Sequence, residues 1–467
     1  MKVLMAASEA HPYVSTGGLA GVMGSLPQAL AQEGHRVDVV IPFYTDIEHP
    51  DDLEWVLPGI RTMSGEEFGV ARTVSSGGFN VYLVAKDEYF KRPGIYGPDD
   101  ASAYADNDMR FAFFSRAVLA ISEEDAPAPD IIHCHDWQTG LIPAYVRDRT
   151  GPSTVFTIHN LNYQGNFPAD RFHRLMLPSS FFNMEGMEFY GSASFLKAGI
   201  VFSHQVTTVS RTYAREIRMP EYGHGMDGLL REYAGKLTGI LNGIDTAKWD
   251  PARDPCIAAS FDAGGITPRR RCRRELAKLT GLSCDTFIAG AVSRLTGQKG
   301  LDLLFPVMEK MKNSSFVVLG TGEKDYAATL KSLAERFPDR IASILRYDET
   351  MARKIFAGSD VILMPSRFEP CGLAQMIGMR YGAVPLVRRT GGLADTVKDV
   401  SEGGSGFVME KATPGELMKA LKRARKLFLN RGKWAWIVKR CMRRDNSWNS
   451  RVRPYLKVYE NAVEKGR

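Results

Sequence analysis

The sequence predicts an α/β protein made of two doubly wound parallel-sheet domains. Short apolar runs alternate with amphipathic segments in the first half of the chain, and the same alternation resumes in the second half. A stretch rich in chain-breaking residues, 250–268, separates the two series. A chain of 467 residues is also too long for one ordinary hydrophobic core.

The first series begins with an apolar strand at 2–6, which is too brief for a signal peptide. Apolar residues recur on one face of 18–33, so a helix follows. Further strands are predicted at 37–41, 81–85, 131–133, 153–158 and 205–209, and further helices at 110–121 and 140–149. Strands that alternate with helices form parallel sheets, so we expect a parallel sheet covered on both faces.

The second series repeats this order after the breaker-rich stretch. Strands are predicted at 287–292, 315–319, 341–345, 361–364 and 384–387, and helices at 300–311, 323–337, 350–356 and 372–381. The last segment, 448–467, has a helical pattern but is too short to form a domain. The predicted domains are therefore 1–245 and 246–447, with 448–467 packing back on the first.

Composition excludes several classes of protein. No run of 18 or more apolar residues is present, so nothing in the sequence predicts a membrane span. The six cysteines are scattered without a Cys-x-x-Cys motif, which favours a reducing cytoplasm. Neighbouring side chains at a strand end point to alternate faces, so the run from His133 to Asp136 is not expected to bind a metal.

Basic residues are concentrated near the C-terminus. From Lys411 onward there are 17 lysines and arginines against 4 acidic residues, within a net charge of +7 for the chain. No nucleic-acid-binding motif accompanies them, so a solvated helical face is the favoured interpretation and no nucleic-acid partner is expected.

Two polar motifs follow strands of the second series. Residues 293–300 contribute two cations, Arg294 and Lys299, and residues 366–373 contribute a carboxylate, Glu369. Open α/β sheets bind ligands beyond the carboxyl ends of their strands. Fixed cations suit a polyphosphate and a carboxylate suits sugar hydroxyls, so the motifs suggest an enzyme that handles a nucleotide sugar.

A near-repeat places Thr-Gly-Gly at 16–18 and again at 390–392, each between a strand and a helix. Glycines at a helix start leave backbone N–H groups available and let a phosphate approach closely. We expect one copy in each domain, on the two sides of an interdomain cleft.

Several motifs then resemble those of the bacterial glycogen synthases and plant starch synthases, over nearly the whole chain. They include 92–97, 135–140, 157–160, 208–217 and 241–245, besides the motifs described above. The resemblance implies a GT-B architecture, with two Rossmann-like domains and an interdomain cleft. It also implies that glucose passes from ADP-glucose, or UDP-glucose, to the non-reducing 4-OH of an α-1,4-glucan with retention of configuration. No cofactor or metal is implied.

The same resemblance assigns roles to individual residues. Arg294 and Lys299 match the pair that holds the donor's phosphates, and Glu369 matches a sugar-binding carboxylate that is not a covalent nucleophile. His159 is expected beside the glucose and its anomeric centre. Additional donor-binding residues are Gly17, Gly18, Asn242, Gly320, Cys371, Gly372, Leu373 and Thr390. Expected glucan or sugar contacts are Asp136, Tyr96 and Tyr163.

Two positions depart from the family's pattern. Ser15 and Gly21 stand where the family usually has lysine and aspartate, and that lysine contacts a phosphate. Losing one charge-assisted contact costs about 1.5–3 kcal/mol, so we expect a slower or weaker-binding enzyme. Lys197 is a candidate substitute.

Three hypotheses follow. The leading one is an α-1,4-glucan synthase, and the second is a GT-B glucosyltransferase with another acceptor or with UDP-glucose as donor. The third is a catalytically impaired glucan-binding homologue, which Ser15, Gly21 and the basic C-terminal segment favour. Retention of the four predicted catalytic residues, Glu369, His159, Arg294 and Lys299, argues against the third.

Overall fold

The fold is described from a computed structural model for residues 1–48, 50–98, 102–124 and 128–466. The chain divides into two compact units. Unit 1 comprises Met1–Gly243 and Trp448–Arg467, and unit 2 comprises Ile244–Ser447. Arg467, the last residue of the predicted C-terminal helix, lies outside the described residues.

Unit 1 contains twelve strands among its described residues. They are β1 (Lys2–Ala6), β2 (Arg36–Pro42), β3 (Glu54–Arg61), β4 (Glu67–Val74), β5 (Asn80–Ala85), β6 (Ile131–His135), β7 (Ser153–Ile158), β8 (Asn166–Pro168), β9 (Glu188–Phe189), β10 (Ser192–Ser194), β11 (Gln205–Thr208) and β12 (Leu237–Gly239). Its helices before residue 243 are α1 (Gly18–Gln32), α2 (Asp87–Phe90), α3 (Asn107–Glu124), α4 (Ile142–Tyr145), α5 (Phe195–Phe202), α6 (Arg211–Glu216) and α7 (Asp227–Glu232).

The main sheet of unit 1 has nine strands in the order β12-β11-β7-β6-β1-β2-β5-β4-β3. Strand β1 pairs in parallel with both β2 and β6, so the strand order reverses between β1 and β6. That reversal creates a switch point, where the loops after the two strands diverge and leave room for a ligand. A small antiparallel sheet, β8-β10-β9, lies apart from the main sheet in the hydrogen-bond pattern.

The expectation of a wholly parallel first sheet is wrong at one edge. Strands β3, β4 and β5 pair antiparallel, and β3 and β4 were not predicted. Strand β3 has no buried residue, and its short apolar run, Trp55–Leu57, is interrupted by Pro58 and Gly59, which argue against a strand.

The helix predicted at 140–149 is also largely wrong. Only α4 (Ile142–Tyr145) is α-helical within that range, and a 3-10 turn at Trp137–Thr139 precedes it. A side chain at Gly140 would bring its Cβ to 2.0 Å from the carbonyl oxygen of Phe195. Helix α5 therefore packs directly on this turn, and tertiary contact decides its conformation.

Unit 2 has a six-stranded sheet that is parallel throughout. Its strands are β13 (Phe287–Val292), β14 (Ser314–Leu319), β15 (Ile341–Ile344), β16 (Val361–Met364), β17 (Val384–Arg388) and β18 (Phe407–Met409). Its helices are α8 (Arg269–Thr280), α9 (Leu301–Lys310), α10 (Lys324–Arg336), α11 (Glu349–Gly358), α12 (Ala374–Arg380), α13 (Gly391–Thr396), α14 (Pro414–Leu429) and α15 (Arg431–Met442).

The strand order of unit 2 is β15-β14-β13-β16-β17-β18. Counted within the unit this is 3-2-1-4-5-6, the order of the Rossmann fold, with its switch point between β13 and β16. The two polar motifs of the second series follow these two strands, so they lie on either side of the switch point.

The basic C-terminal segment forms α14 and α15. Their apolar residues, among them Leu421, Phe428 and Trp434, are buried, while most of their lysines and arginines are exposed. The chain then returns to unit 1 as α16 (Val452–Gly466). Tyr455 and Tyr459 of this helix are fully buried, and the helix packs on β6, β7 and β11.

Candidate functional site

The loops after β13 and β16 are joined by hydrogen bonds at the switch point of unit 2. Arg367 donates its backbone N–H to the carbonyl of Gln298 over 2.8 Å, and the Gln298 amide donates to the Phe368 carbonyl over 3.2 Å. Gly300 adopts a positive φ of 68°, and a Cβ there would lie 2.4 Å from the carbonyl oxygen of Pro365. Glycine is therefore needed at 300 for the two loops to meet.

This contact brings together two of the four predicted catalytic residues. The Lys299 ammonium lies 2.6 Å from Oε2 of Glu369, and the Ser366 hydroxyl donates to the same oxygen over 2.9 Å. The side chains of Lys299 and Glu369 are 16% and 6% exposed. The other carboxylate oxygen, Oε1, has no hydrogen bond to any residue that the structure describes.

The second Thr-Gly-Gly packs against the same carboxylate loop. Gly391 has a positive φ of 43°, and a Cβ there would lie 1.9 Å from the backbone carbonyl of Glu369. A Cβ on Gly392 would lie 2.1 Å from the carbonyl of Cys371, and the Gly392 N–H already donates to Glu369. These glycines therefore serve close packing around Glu369, and the Gly392 N–H is not free for a phosphate.

The remaining predicted residues of unit 2 surround these loops. Arg294 is exposed, Cys371 and Thr390 are buried, and Leu373 lies just before α12. Gly372 has a positive φ of 74°, where glycine is favoured. Gly320 directly follows β14, and a Cβ there would lie 1.9 Å from the Ser293 carbonyl oxygen, so close backbone packing explains this glycine.

In unit 1, Glu9 organises the loop that follows β1. Its carboxylate accepts hydrogen bonds from the Thr16 hydroxyl at 2.8 Å, the Thr16 N–H at 2.6 Å and the Gly17 N–H at 3.2 Å. The Tyr96 hydroxyl donates to it over 2.7 Å. The Gly17 N–H is thus already bonded, contrary to its predicted availability, whereas Gly18 begins α1, where N–H groups lack intrahelical acceptors.

The first Thr-Gly-Gly differs from the second in its surroundings. A Cβ on Gly17 or Gly18 would meet nothing within 4 Å, so space is open beside both residues. Open space at a helix start suits the close approach of an anion. Ser15, where the resemblance leads us to expect lysine, is exposed beside these glycines.

Asp136 and His159 follow the neighbouring strands β6 and β7 and contact each other. Asp136 accepts the backbone N–H of His159 over 2.7 Å, and it holds a positive φ of 59° that few non-glycine residues adopt. Burial raises the pKa of Asp136 to about 7, against the lowering effect of the backbone N–H groups of His159 and Asn160. Burial lowers the pKa of His159 to about 3, so its imidazole is neutral.

His135 contacts His159, and His133 in turn stacks on His135. Nδ1 of His135 is 2.9 Å from Nε2 of His159, and the His133 and His135 rings are 4.1 Å apart. Nδ1 of His133 contacts the Tyr459 hydroxyl of α16 at 2.9 Å, and its Nε2 contacts Thr157 Oγ1 at 2.6 Å. Helix α16 thus supports the strand that carries these rings.

The other predicted residues of unit 1 differ in accessibility. Asn242 is buried, and its Oδ1 has no partner among the described residues, as expected of a group that binds a ligand. Tyr163 is 45% exposed, whereas the Tyr96 hydroxyl is committed to Ser8 and Glu9. Burial raises the pKa of Tyr96, and the Glu9 charge raises it further.

Lys197 is not free to substitute for the lysine that the resemblance leads us to expect at position 15. Its ammonium donates to the backbone carbonyls of Met184 and Glu188, both over 2.6 Å. Burial lowers the pKa of Lys197. The cation is therefore used to hold the loop that precedes α5.

Sequence reasoning gave no role to Glu9, His135 or Ser366, although His135 and Ser366 lie within motifs described above. Alternation along β6 places His133 and His135 on one face, which could have indicated their stacking. Nothing local indicates that Glu9 and Ser366 orient other site residues.

Among the residues that the structure describes, no group of three or more His, Cys, Asp or Glu could hold a metal ion. Nor does any helix in the described part of the chain have the length and hydropathy to cross a membrane.

Two Rossmann-like units with polar clusters beyond their strand ends define a glycosyltransferase of the GT-B architecture, as predicted. The starch synthase catalytic domain family matches residues 2–232, and glycosyl transferases group 1 matches residues 273–430. The chain is 44% identical to the glycogen synthase of Anaeromyxobacter dehalogenans over 98% of each chain, and 41% identical to that of Geotalea uraniireducens over 100% of each. It belongs to the glycogen synthase family.

A solved structure agrees with this assignment. The catalytic domain of Starch Synthase IV from Arabidopsis thaliana, bound to ADP and acarbose, is similar to this chain with a TM-score of 0.91 and 32% identity over 99% of both chains. A sucrose-phosphate synthase from Thermosynechococcus elongatus, 15% identical with a TM-score of 0.64, shares the fold.

Proposed function

We propose that this protein transfers glucose from ADP-glucose to the non-reducing 4-OH of an α-1,4-glucan, with retention at the anomeric carbon. The observation that carries the proposal is the Lys299–Glu369 pair at the switch point of unit 2, which sets a cation for phosphate beside a carboxylate for sugar hydroxyls. The ADP in the related Starch Synthase IV structure supports the choice of nucleotide.

The reaction breaks the bond between the glucose anomeric carbon and the diphosphate oxygen, and the electron pair leaves with ADP. Lys299 and Arg294 neutralise the charge that develops on the diphosphate, where fixed cations stabilise a transition state most effectively. The acceptor's 4-oxygen bonds to the anomeric carbon on the same face, and its proton passes to the departing diphosphate oxygen.

Glu369 acts in this scheme as a sugar-binding group. Lys299 and Ser366 fix Oε2, so Oε1 is free to accept a hydrogen bond from a glucose hydroxyl. A carboxylate held at one oxygen is preorganised at the other, which lowers the entropic cost of binding.

Unit 1 supplies His159, the Asn242 amide and the Gly18 N–H to the donor, and Asp136 and Tyr163 to sugar hydroxyls and glucan rings. The unpartnered Oδ1 of Asn242 and the open space beside Gly18 support these roles. Ser15 supplies no charge, so transfer is slower than in family members that carry lysine there. A cytoplasmic location is also proposed, because all six cysteines are free.

The test is nucleoside diphosphate release from ADP-glucose and from UDP-glucose, with and without glycogen. Release from ADP-glucose that depends on glycogen is expected to be lost in Glu369→Ala. Glu309→Ala is the matched control, because this glutamate forms an exposed pair with Arg336 on the same unit. Preferential release from UDP-glucose would show that UDP-glucose, and not ADP-glucose, is the glucosyl donor. Glycogen binding without release from either donor would instead identify an impaired homologue.

A further inference from the structure

The contact between His135 and His159 defines which nitrogen of each ring carries a proton. Nδ1 of His135 lies 2.9 Å from Nε2 of His159, so one of these two nitrogens donates to the other. The protonation state of one ring nitrogen fixes the other in a neutral imidazole, so this hydrogen bond sets both tautomers.

The buried end of His135 distinguishes the two arrangements. His135 is fully buried, and its Nε2 has no hydrogen-bond partner among the residues that the structure describes. If His159 were the donor, His135 would carry a proton on this Nε2 and bury an unsatisfied N–H group. If Nδ1–H of His135 is the donor, Nε2 of His135 is unprotonated and only its lone pair lacks a partner. Orphaned buried N–H groups are rarer than under-satisfied acceptors, so His135 is the donor.

The outcome for His159 is a proton on Nδ1. Its Nε2 accepts from His135, and its Nδ1 has no hydrogen bond to the described part of the chain. His159 is half-buried, and its backbone N–H is held by Asp136. Ring and backbone are thus both fixed, and Nδ1 is the nitrogen left to face a ligand.

We propose that His135 is a positioning residue that holds His159 as the Nδ1–H tautomer, so that His159 donates a hydrogen bond to an oxygen of the bound sugar. This inference rests on the proposed function for the identity of the ligand. The stack of His133 on His135, with His133 held by Tyr459 and Thr157, keeps the donor ring in place.

The test measures the tautomer directly. Long-range proton–nitrogen correlation spectra of protein labelled with 15N-histidine distinguish protonated from unprotonated ring nitrogens, and the chain has only 9 histidines. Signals that vanish in His159→Gln identify His159. The expected spectrum shows a protonated Nδ1 and an unprotonated Nε2 for His159 in the wild-type protein. A protonated Nε2 on His159 would overturn the proposal, whatever the variants do.

Two substitutions test the positioning role. His135→Leu removes the donor, and the expected result is a mixed His159 tautomer with kcat lowered about tenfold and KM nearly unchanged. His135→Asn places an amide N–H near the position of Nδ1, and it is expected to retain the tautomer and restore most of kcat. An equal loss of kcat in both variants would refute the role of His135 as a hydrogen-bond donor to His159.

The tautomer measurement is independent of catalysis. An Nδ1–H tautomer in a protein that releases no nucleotide from either donor would refute the proposed function and leave the assignment of His135 standing. An active protein in which His159 is protonated at Nε2 would refute the assignment of His135 and leave the proposed function standing. If His135→Leu does not fold, the wild-type spectrum and His135→Asn still decide.

Discussion

Glu369→Gln is the substitution that best separates sugar binding from phosphate binding in unit 2. The glutamine keeps the shape and one hydrogen bond of the carboxylate but removes its charge. Lys299 then loses its one ion-pair partner among the residues that the structure describes, and the sugar loses a charged acceptor at Oε1. The two losses affect different measurements.

The expected cost to stability follows from the burial of the pair. With 16% and 6% exposure, the pair lies between a surface pair, worth about 0–1 kcal/mol, and a fully buried pair, whose disruption costs about 3–5 kcal/mol. We expect a loss of about 2–3 kcal/mol, which lowers Tm by roughly 5–10 °C for a unit of this size. Asp302→Asn is the control, because its pair with Arg367 is 40% and 43% exposed and is worth at most about 1 kcal/mol.

The expected effects on catalysis and on nucleotide binding diverge. Losing a charged hydrogen bond to the sugar costs about 1.5–3 kcal/mol, so kcat/KM for ADP-glucose falls roughly 10- to 150-fold. The freed Lys299 cation remains available to the diphosphate, so the Kd for ADP measured by calorimetry stays equal or decreases. Weaker ADP binding in proportion to the loss of kcat/KM would refute this reasoning, since Glu369 would then act only by placing Lys299.

Three further predictions follow from the site. Ser15→Lys restores a cation at an exposed position, and we expect steady-state kcat/KM for ADP-glucose to rise about 10- to 100-fold; an unchanged value would mean that a phosphate contact there is unnecessary. Gly391→Ala forces a Cβ against the Glu369 carbonyl and should abolish transfer and lower Tm, whereas Gly17→Ala, with open space, should leave Tm unchanged; equal Tm values would contradict the packing. The pKa of buried His133 is lowered to about 3, below the unfolded value, so the unfolded state binds the extra proton as pH falls. His133 should therefore contribute about 1.4 kcal/mol per pH unit to the fall in the free energy of unfolding in urea from pH 6 toward pH 3, beside the contributions of His135 and His159. His133→Asn should reduce the slope by that amount, and an unaltered slope would exclude His133 as a source.

Local sequence pattern was sufficient for most of the sheet framework. The predicted bounds of β1, β7, β13 and β16 agree with the structure, because each is a short run rich in apolar and β-branched residues. The antiparallel edge strand β3 was missed because Pro58 and Gly59 interrupt its apolar residues and none of its residues is buried. The helix predicted at 140–149 is reduced to α4, and at its start Gly140 packs against the backbone of Phe195 in α5.

The polar residues of the site were identified from sequence, but their partners were not. Lys299 and Glu369 were expected at one sheet edge because both follow parallel strands. Their direct contact depends on β13 and β16 being neighbours, which local pattern does not specify. The Thr-Gly-Gly motifs illustrate the same limit, since identical residues face open space in one unit and pack on Glu369 in the other.

The sequence by itself determined the α/β class, the family and the identity of the polar residues at the strand ends, because these depend on apolar periodicity and on residue type. Only the tertiary structure decided that Glu9 holds the loop at 16–17, that Lys197 is occupied by backbone carbonyls, and that His135 contacts His159. The physical reason is that hydrogen bonds between distant residues depend on strand order, register and burial. These properties arise when the sheet assembles and have no counterpart in a local stretch of sequence.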